Sequence, residues 1–395
     1  MIFYFIAAGS LTLFYFYIGL KLIALFEITL FWQFIFWFII AVLCILPVGH
    51  IFLRIYGFES FLSDMFAWIG FLFLGFFSLM FVFFAVEDLA LLSIKLMQKI
   101  IIATGFISND NIKDVQRVNV ERRLFLIGHL NMGIVAVAGL ITCYGFFKAI
   151  KKPEVKNIRI PFENLHEDLK GFTIVQITDI HVGPTIKNNY VQTIVNQVNQ
   201  LKPDVIVFTG DLADGSPDYL KGEIAPFAKL YAPFGKFFVT GNHDYYSGVE
   251  GWINHVEKLG FTVLLNENRM LQCGSGIIAL AGVTDFRSQY FLQSHVSDPK
   301  KALEGALKSH IRILLAHQPL SIYKAAEAGY DLQISGHTHG GQYFPGNFFV
   351  KIQQPFVSGL HRYKKTWIYV SCGTGYWGPP IRFGVNSEIT VIKLA

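Results

Sequence analysis

Charged side chains are scarce in this 395-residue chain: Asp, Glu, Lys and Arg make up 15% of it, against 53% hydrophobic residues. Residues 1–20, 28–53 and 65–86 contain none. That absence excludes solvent-facing helices for these runs, and the mean hydropathy of +0.43 points to a membrane. Cysteine is also scarce. Four cysteines exclude a disulfide framework; Cys44 and Cys143 fall inside apolar runs, and Cys273 and Cys372 are expected to be free thiols. Neither a Gly-x-Ser-x-Gly elbow nor a Walker phosphate loop occurs, which removes the commonest signatures of a serine nucleophile and of a P-loop nucleotide site. Lys and Arg exceed Asp and Glu by a formal +5 but are scattered rather than interleaved with aromatics, so no nucleic-acid partner is expected.

Four long apolar runs fill the first part of the chain. Residues 1–20, 28–53, 65–86 and 124–147 are each long enough for a hydrocarbon core of roughly 30 Å, so a membrane domain of four transmembrane helices is expected over 1–147, with the lipid bilayer as partner. The first run lacks the basic leader and small-x-small site of a cleaved signal and is read as a span. Lys21, Glu27, Arg54, Glu59, Asp64, Glu87 and Asp88 mark the edges of the runs, and Trp32, Trp37 and Trp68 suit interfaces. Residues 89–102 carry Lys95 and Lys99 four apart, as an interfacial or an ordinary packed helix would. His129 and Asn131 are polar groups at membrane depth, expected to hydrogen-bond between helices.

A basic cluster, Lys148, Lys151, Lys152, Lys156 and Arg159, follows the last run and suits anionic headgroups. Arg54 would share its side of the membrane, with Lys21, Lys95, Lys99, Lys113, Arg117, Arg122 and Arg123 opposite, a nearly even balance of positive charge. The expected placement is a multi-pass protein of the inner (plasma) membrane with its second half on the cytoplasmic side.

Composition turns polar over 148–168, read as a linker, and a domain follows over 169–395. There, short apolar runs alternate with helical stretches such as 188–201 and 248–259, the pattern of a mainly parallel sheet covered by helices. Five polar signatures each directly follow one of those runs: Asp179-Ile-His181, Gly210-Asp211, Gly241-Asn242-His243-Asp244, Ala316-His317-Gln318 and Gly336-His337-Thr338-His339. Ligand groups gather at the carboxyl ends of strands in open α/β sheets, so five separated segments can converge on one crevice. Carboxylates, imidazoles and an amide oxygen together are the donors of a dinuclear metal site, with Asp211 the natural bridge.

In all five signatures the chain resembles the calcineurin-like metallophosphoesterase superfamily. The resemblance implies an α-helical transmembrane region followed by an α/β metallophosphoesterase domain, two sheets sandwiched between helices. It implies that Asp179, His181, Asp211 and His339 hold one divalent ion and that Asp211, Asn242, His317 and His337 hold a second. Their identity stays open among manganese, iron, zinc and magnesium. His243 is then a catalytic group beside the leaving group, with Asp244 orienting it, and Arg287 and Arg382 are candidates for gripping substrate phosphate. Tyr245, Tyr246 and Trp377 are candidates for the rim, and His255, His295, His310 and His361 are read as ordinary structural histidines. The longer motifs 336–342, 369–371 and 380–384 resemble the bacterial membrane-associated subgroup, some of whose relatives are UDP-diacylglucosamine pyrophosphatases.

The activity implied is that of a membrane-anchored, metal-dependent phosphohydrolase. A metal-bridging hydroxide attacks the phosphorus of a phosphoester or pyrophosphate, here expected in a lipid-linked substrate. Phosphodiesterase action on soluble substrates is the alternative, as is a membrane sensory or scaffold protein with a phosphoesterase-like module; loss of ligands would mark the latter.

Overall fold

The protein is described from a computed structural model covering residues 2–26, 28–104, 120–306 and 308–395; Glu27, Lys113 and Arg117 of the charge count lie outside these. It divides into two compact units, residues 1–52 with 66–144, and residues 53–65 with 145–395.

The first unit is helical, built from α1 (Ile2–Ile23), α2 (Leu30–Ile55), α3 (Phe61–Ala103) and α4 (Val120–Ile150). Among the described residues, three helices are long and apolar enough to cross a membrane: Leu30–Ile55, Phe61–Ala103 and Phe125–Ile150. The remaining run, the first in the chain, forms α1, a 22-residue helix that contains the apolar stretch Ala8–Ile23. The separate helix expected over 89–102 is instead the continuation of α3, which runs 43 residues unbroken because no Gly or Pro interrupts it after Gly75. Polar side chains satisfy one another between helices, as burial in hydrocarbon requires. Lys21 lies 2.5 Å from Asp88 and 3.3 Å from Glu87, the Tyr17 hydroxyl donates to Asp88 at 2.8 Å, and the Asn131 amide donates to Glu87 at 2.9 Å. His129 stays within its own turn, 2.8 Å from the Phe125 carbonyl.

The second unit holds two six-stranded sheets. Its strands are β1 (Glu154–Ile160), β2 (Thr173–Ile177), β3 (Val205–Thr209), β4 (Lys236–Val239), β5 (Thr262–Val263), β6 (Glu267–Cys273), β7 (Gly276–Gly282), β8 (Ile311–Leu315), β9 (Leu332–Ser335), β10 (Gly359–Tyr363), β11 (Thr366–Val370) and β12 (Glu388–Leu394). Their orders are β1-β12-β2-β3-β4-β5 and β10-β11-β9-β8-β7-β6. Strands β2 to β5 run parallel, as do β7, β8, β9 and β11, while β12 on β2, β6 on β7 and β10 on β11 are antiparallel. The helices are α5 (Asn188–Gln200), α6 (Pro217–Ile224), α7 (Asn242–Tyr246), α8 (Val249–Lys258), α9 (Pro299–Ala302), α10 (Ile322–Ala328) and α11 (Gly346–Gln353).

Alternation along the strands builds the layers. Ile174, Val205, Val207 and Phe237 of one sheet meet Ile278, Leu280, Ile313 and Ile334 of the other. The opposite faces of β2 and β3, Val175, Ile177, Ile206 and Phe208, pack on Val191, Ile194 and Val198 of α5 and on Trp252 and Val256 of α8. Central strands buried on both faces read as continuous apolar runs, which is why they were legible. The segment 148–168 is not a plain linker: β1 lies in it and pairs in parallel with β12 from Glu154–Glu388 to Ile160–Leu394. As an edge strand it keeps Lys156 and Arg159 partly in solvent, so no apolar run announces it.

Candidate metal centre

The loops after β2 and β3 carry the first two signatures and keep pairing past the strands. Asp179 N–H donates to the Gly210 carbonyl at 3.0 Å and Val182 N–H to the Leu212 carbonyl at 2.9 Å. Asp179, His181, Asp211, His337 and His339 all have left-handed backbone, with φ between 50° and 71°. Such conformations cost side-chain-bearing residues about 1 kcal/mol or more each and persist where the surroundings dictate them, characteristically at functional sites. They swing each side chain off the strand direction into the crevice. Two glycines leave the room: a Cβ on Gly336 would overlap the Asp179 carboxylate, and one on Gly241 would sit 2.5 Å from Asp211 N.

The side chains converge in three groups: Asp179 with His181 and His339, Asp211 with His317 and His337, and His181 with Asp211 and His243. Asp211 joins them, its Oδ2 lying 3.1 Å from His317 Nε2 and 3.7 Å from His181 Nε2. Asn242 Oδ1 stands 3.2 Å from His317 Nε2. All seven residues expected as ligands are thus brought to one place, six of them buried.

Partners behind the ligands set the rings. His317 Nδ1 lies 2.8 Å from the Thr209 carbonyl and His181 Nδ1 3.2 Å from Asp214, which leaves each Nε2 turned inward. The Asp179 carboxylate accepts the Thr178 hydroxyl at 2.6 Å and His337 N–H at 2.8 Å.

The donor set suits divalent cations. His181 and His339 face each other Nε2 to Nε2 at 3.0 Å, and His337 Nδ1 faces His317 Nε2 at 3.2 Å, so four imidazole nitrogens converge beside the carboxylates. Burial and then the charge of His317 push His337 down to about 3, and burial with His181 holds His339 well below its ordinary value; both stay neutral, as ligands must. Burial opposes charge on His317 too, but Asp211 and Asp179 outweigh it and raise the ring to about 10, a proton that a cation would displace.

His243 differs from the other rings. Its Nδ1 lies 2.6 Å from Asp214 Oδ1, and its ring is flanked by Tyr246 at 5.1 Å and Trp377 at 5.4 Å. Burial disfavours its charged form, yet Asp214 and Asp211 outweigh that and push it up to about 9. Asp244, expected to orient this ring, does not touch it. Its carboxylate accepts Gly241 N–H at 2.8 Å, Leu212 N–H at 3.0 Å and Asp211 N–H at 3.1 Å, capping α7 and tying it to the β3 loop. Adjacent residues of a helix do not face each other, so Asp244 points away from the His243 ring; Asp214 occupies the place instead.

Arg382, expected to grip substrate, is fully buried and donates to the Gly375 carbonyl at 3.1 Å and the His339 carbonyl at 3.2 Å, so it positions His339. Arg287 is exposed and lines a groove with Tyr246 and Phe291. Tyr245 is core, bonded to His295 at 2.8 Å, while Tyr246 and Trp377 are exposed at the rim.

Two acidic residues went unread. Asp214 follows Asp211 by three and passes for a turn residue; the Asp-x-x-Asp spacing after a strand was the available signal. Asp285 follows the apolar run of β7, the same rule that found the other five signatures. It is buried and accepts the Gln318 amide at 2.9 Å, behind His317.

The calcineurin-like phosphoesterase family profile matches residues 172–341, which include all seven of the converging residues. A metallophosphoesterase from Helicobacter pylori is 39% identical over 69% of this chain and 72% of its own length. The chain belongs to the calcineurin-like metallophosphoesterase family. A second family member, from Bacillus subtilis, is 32% identical over 69% of this chain and 97% of its own. A "Transmembrane protein with metallophosphoesterase domain" from Danio rerio is 38% identical over 65% of this chain; the match spans 61% of that relative's length. Among solved structures, a dimetal phosphatase from Danio rerio aligns at 12% identity and a TM-score of 0.32, covering 52% of this chain and 88% of its own. In this chain the metallophosphoesterase domain follows apolar helices.

Proposed function

We propose that this metallophosphoesterase is a membrane-anchored phosphohydrolase that uses two divalent ions, held by Asp179, His181, Asp211 and His339 and by Asp211, Asn242, His317 and His337. The observation that carries this reading is Asp211 Oδ2 standing between His317 and His181, one nitrogen from each cluster, at 3.1 and 3.7 Å. Ions bound there supply Lewis acidity toward phosphoryl oxygens and lower the pKa of water. The chain's own residues do the rest. His243, charged at neutral pH by the carboxylates beside it, donates a proton or a hydrogen bond to the departing oxygen. Asp214 holds that ring and His181 in one orientation, and Tyr246 and Trp377 screen it from bulk water.

The substrate we propose is a phosphoester or phosphoanhydride presented near the bilayer, in keeping with three helices long enough to cross it. The experiment is hydrolysis of bis(p-nitrophenyl) phosphate by the full chain in detergent with manganese. Activity is expected to vanish with EDTA and in Asp211→Asn, with metal analysis showing two ions per wild-type chain. Full activity in Asp211→Asn would falsify the two-ion assignment.

A further inference from the structure

Residues 53–65, the last turn of α2, the loop after it and the first turn of α3, belong to the same compact unit as the phosphoesterase domain. Three anchors hold them there. Glu59 accepts Ser216 N–H at 3.0 Å and also the Ser216 hydroxyl, Asp64 pairs with Lys187 at 2.8 Å, and Asp64 accepts the Tyr219 hydroxyl at 2.9 Å. The fit is close, since a Cβ on Gly215 would come within 2.5 Å of Glu59 Oε1. Two of the three anchors, Ser216 and Tyr219, lie in the stretch directly after Asp214, the carboxylate that holds His243.

The last turn of α2 delivers Arg54 to that carboxylate. Arg54 Nη1 lies 3.9 Å from Asp214 Oδ1, beyond hydrogen-bond reach, and both Asp214 oxygens already serve His243 and His181. Among the described residues the guanidinium has no hydrogen-bond acceptor, although its side chain is only 17% exposed. A largely enclosed guanidinium with five donors and no acceptor is costly unless an anion completes it, and its planar fork matches phosphate oxygens.

We propose that Arg54 is a specificity-determining residue that binds an anionic phosphoryl oxygen on the leaving-group side of the scissile bond. This rests on the phosphohydrolase reading above, in which His243 marks the leaving-group side. Arg54 stands beside Asp214 on that same side, so the preferred leaving group itself carries phosphate, as in a phosphoanhydride. Such a group can come from a soluble nucleotide or from a lipid headgroup.

The test compares wild type, Arg54→Gln and Glu59→Ala as full chains in nanodiscs at fixed free manganese. Two competitors of bis(p-nitrophenyl) phosphate hydrolysis separate the sources: ADP in solution, and CDP-diacylglycerol within the disc. For whichever competes, Arg54→Gln is expected to raise its inhibition constant at least tenfold more than it raises the KM for bis(p-nitrophenyl) phosphate, the loss of about one charged hydrogen bond. Glu59→Ala, which touches no group at the metal centre, should reproduce the effect by releasing the turn. The proposal is overturned if the constants move together, if neither moves, or if neither competitor binds the wild type. A wild type without any hydrolysis would instead overturn the phosphohydrolase reading.

Discussion

Replacing Asp214 by Asn removes one charge and leaves the shape of the side chain intact, which makes it a stringent probe of how His243 works. The carboxylate lies 2.6 Å from His243 Nδ1 and 3.2 Å from His181 Nδ1, with 14% of its side chain exposed. Hydrogen bonds to charged groups contribute about 1.5–3 kcal/mol each. An amide oxygen can still accept from one ring, so the expected loss is about 2–3 kcal/mol of transition-state stabilisation, or about 30- to 150-fold in kcat/KM. The pH dependence carries the sign. In the wild type His243 is pushed up to about 9, with Asp214 the strongest of the groups raising it. In Asp214→Asn burial works against one carboxylate fewer, and the ring's pKa falls toward or below the ordinary 6.5. Below that value both proteins carry the ring proton and their rates differ least. Between it and about 9 only the wild type does, so the ratio of rates widens as pH rises. The assay is kcat/KM for bis(p-nitrophenyl) phosphate from pH 5.5 to 9 at saturating manganese, because a partner behind a ligand can also cost 10- to 100-fold in metal affinity. A ratio that stays within threefold, or one that does not change with pH, would refute the role assigned to Asp214.

Gly336→Ala is expected to eliminate hydrolysis, since its Cβ would overlap the Asp179 carboxylate; metal analysis should show fewer than two ions per chain, and full occupancy would count against the close approach. Arg382→Met is expected to lower stability by about 1–3 kcal/mol, leaving the buried Gly375 carbonyl without its Arg382 donor and the His339 carbonyl with only Gln342 N–H. Thermal unfolding in detergent checks this, and an unchanged midpoint would show that Arg382 does not hold the His339 loop.

Much of the site was readable because one physical rule repeats. Strands buried on both faces must be apolar throughout, so the first polar residues after each run mark a strand end, and parallel β2, β3 and β4 align those ends. Glycine marked the crowded places at Gly210, Gly241 and Gly336. Roles set by contact between distant segments were not readable in this way. Asp244 and Asp214 are both acidic and both close in sequence to a ligand, yet one caps α7 and the other holds His243. Arg287 and Arg382 are equally suited to phosphate by chemistry, and burial alone separates them.

The sequence by itself determined the apolar helices, the strand-end pattern, the seven residues that converge and, through them, membership of the metallophosphoesterase family. These are consequences of hydrophobic burial and of donor chemistry, and both are written in residue type. Only the tertiary structure decided which carboxylate serves which ring, that residues 154–160 close a sheet, and that the turn bearing Arg54 joins the phosphoesterase unit. Each of these depends on chain segments meeting at hydrogen-bond distance, at sequence separations such as the 157 residues between Glu59 and Ser216 that no local pattern records.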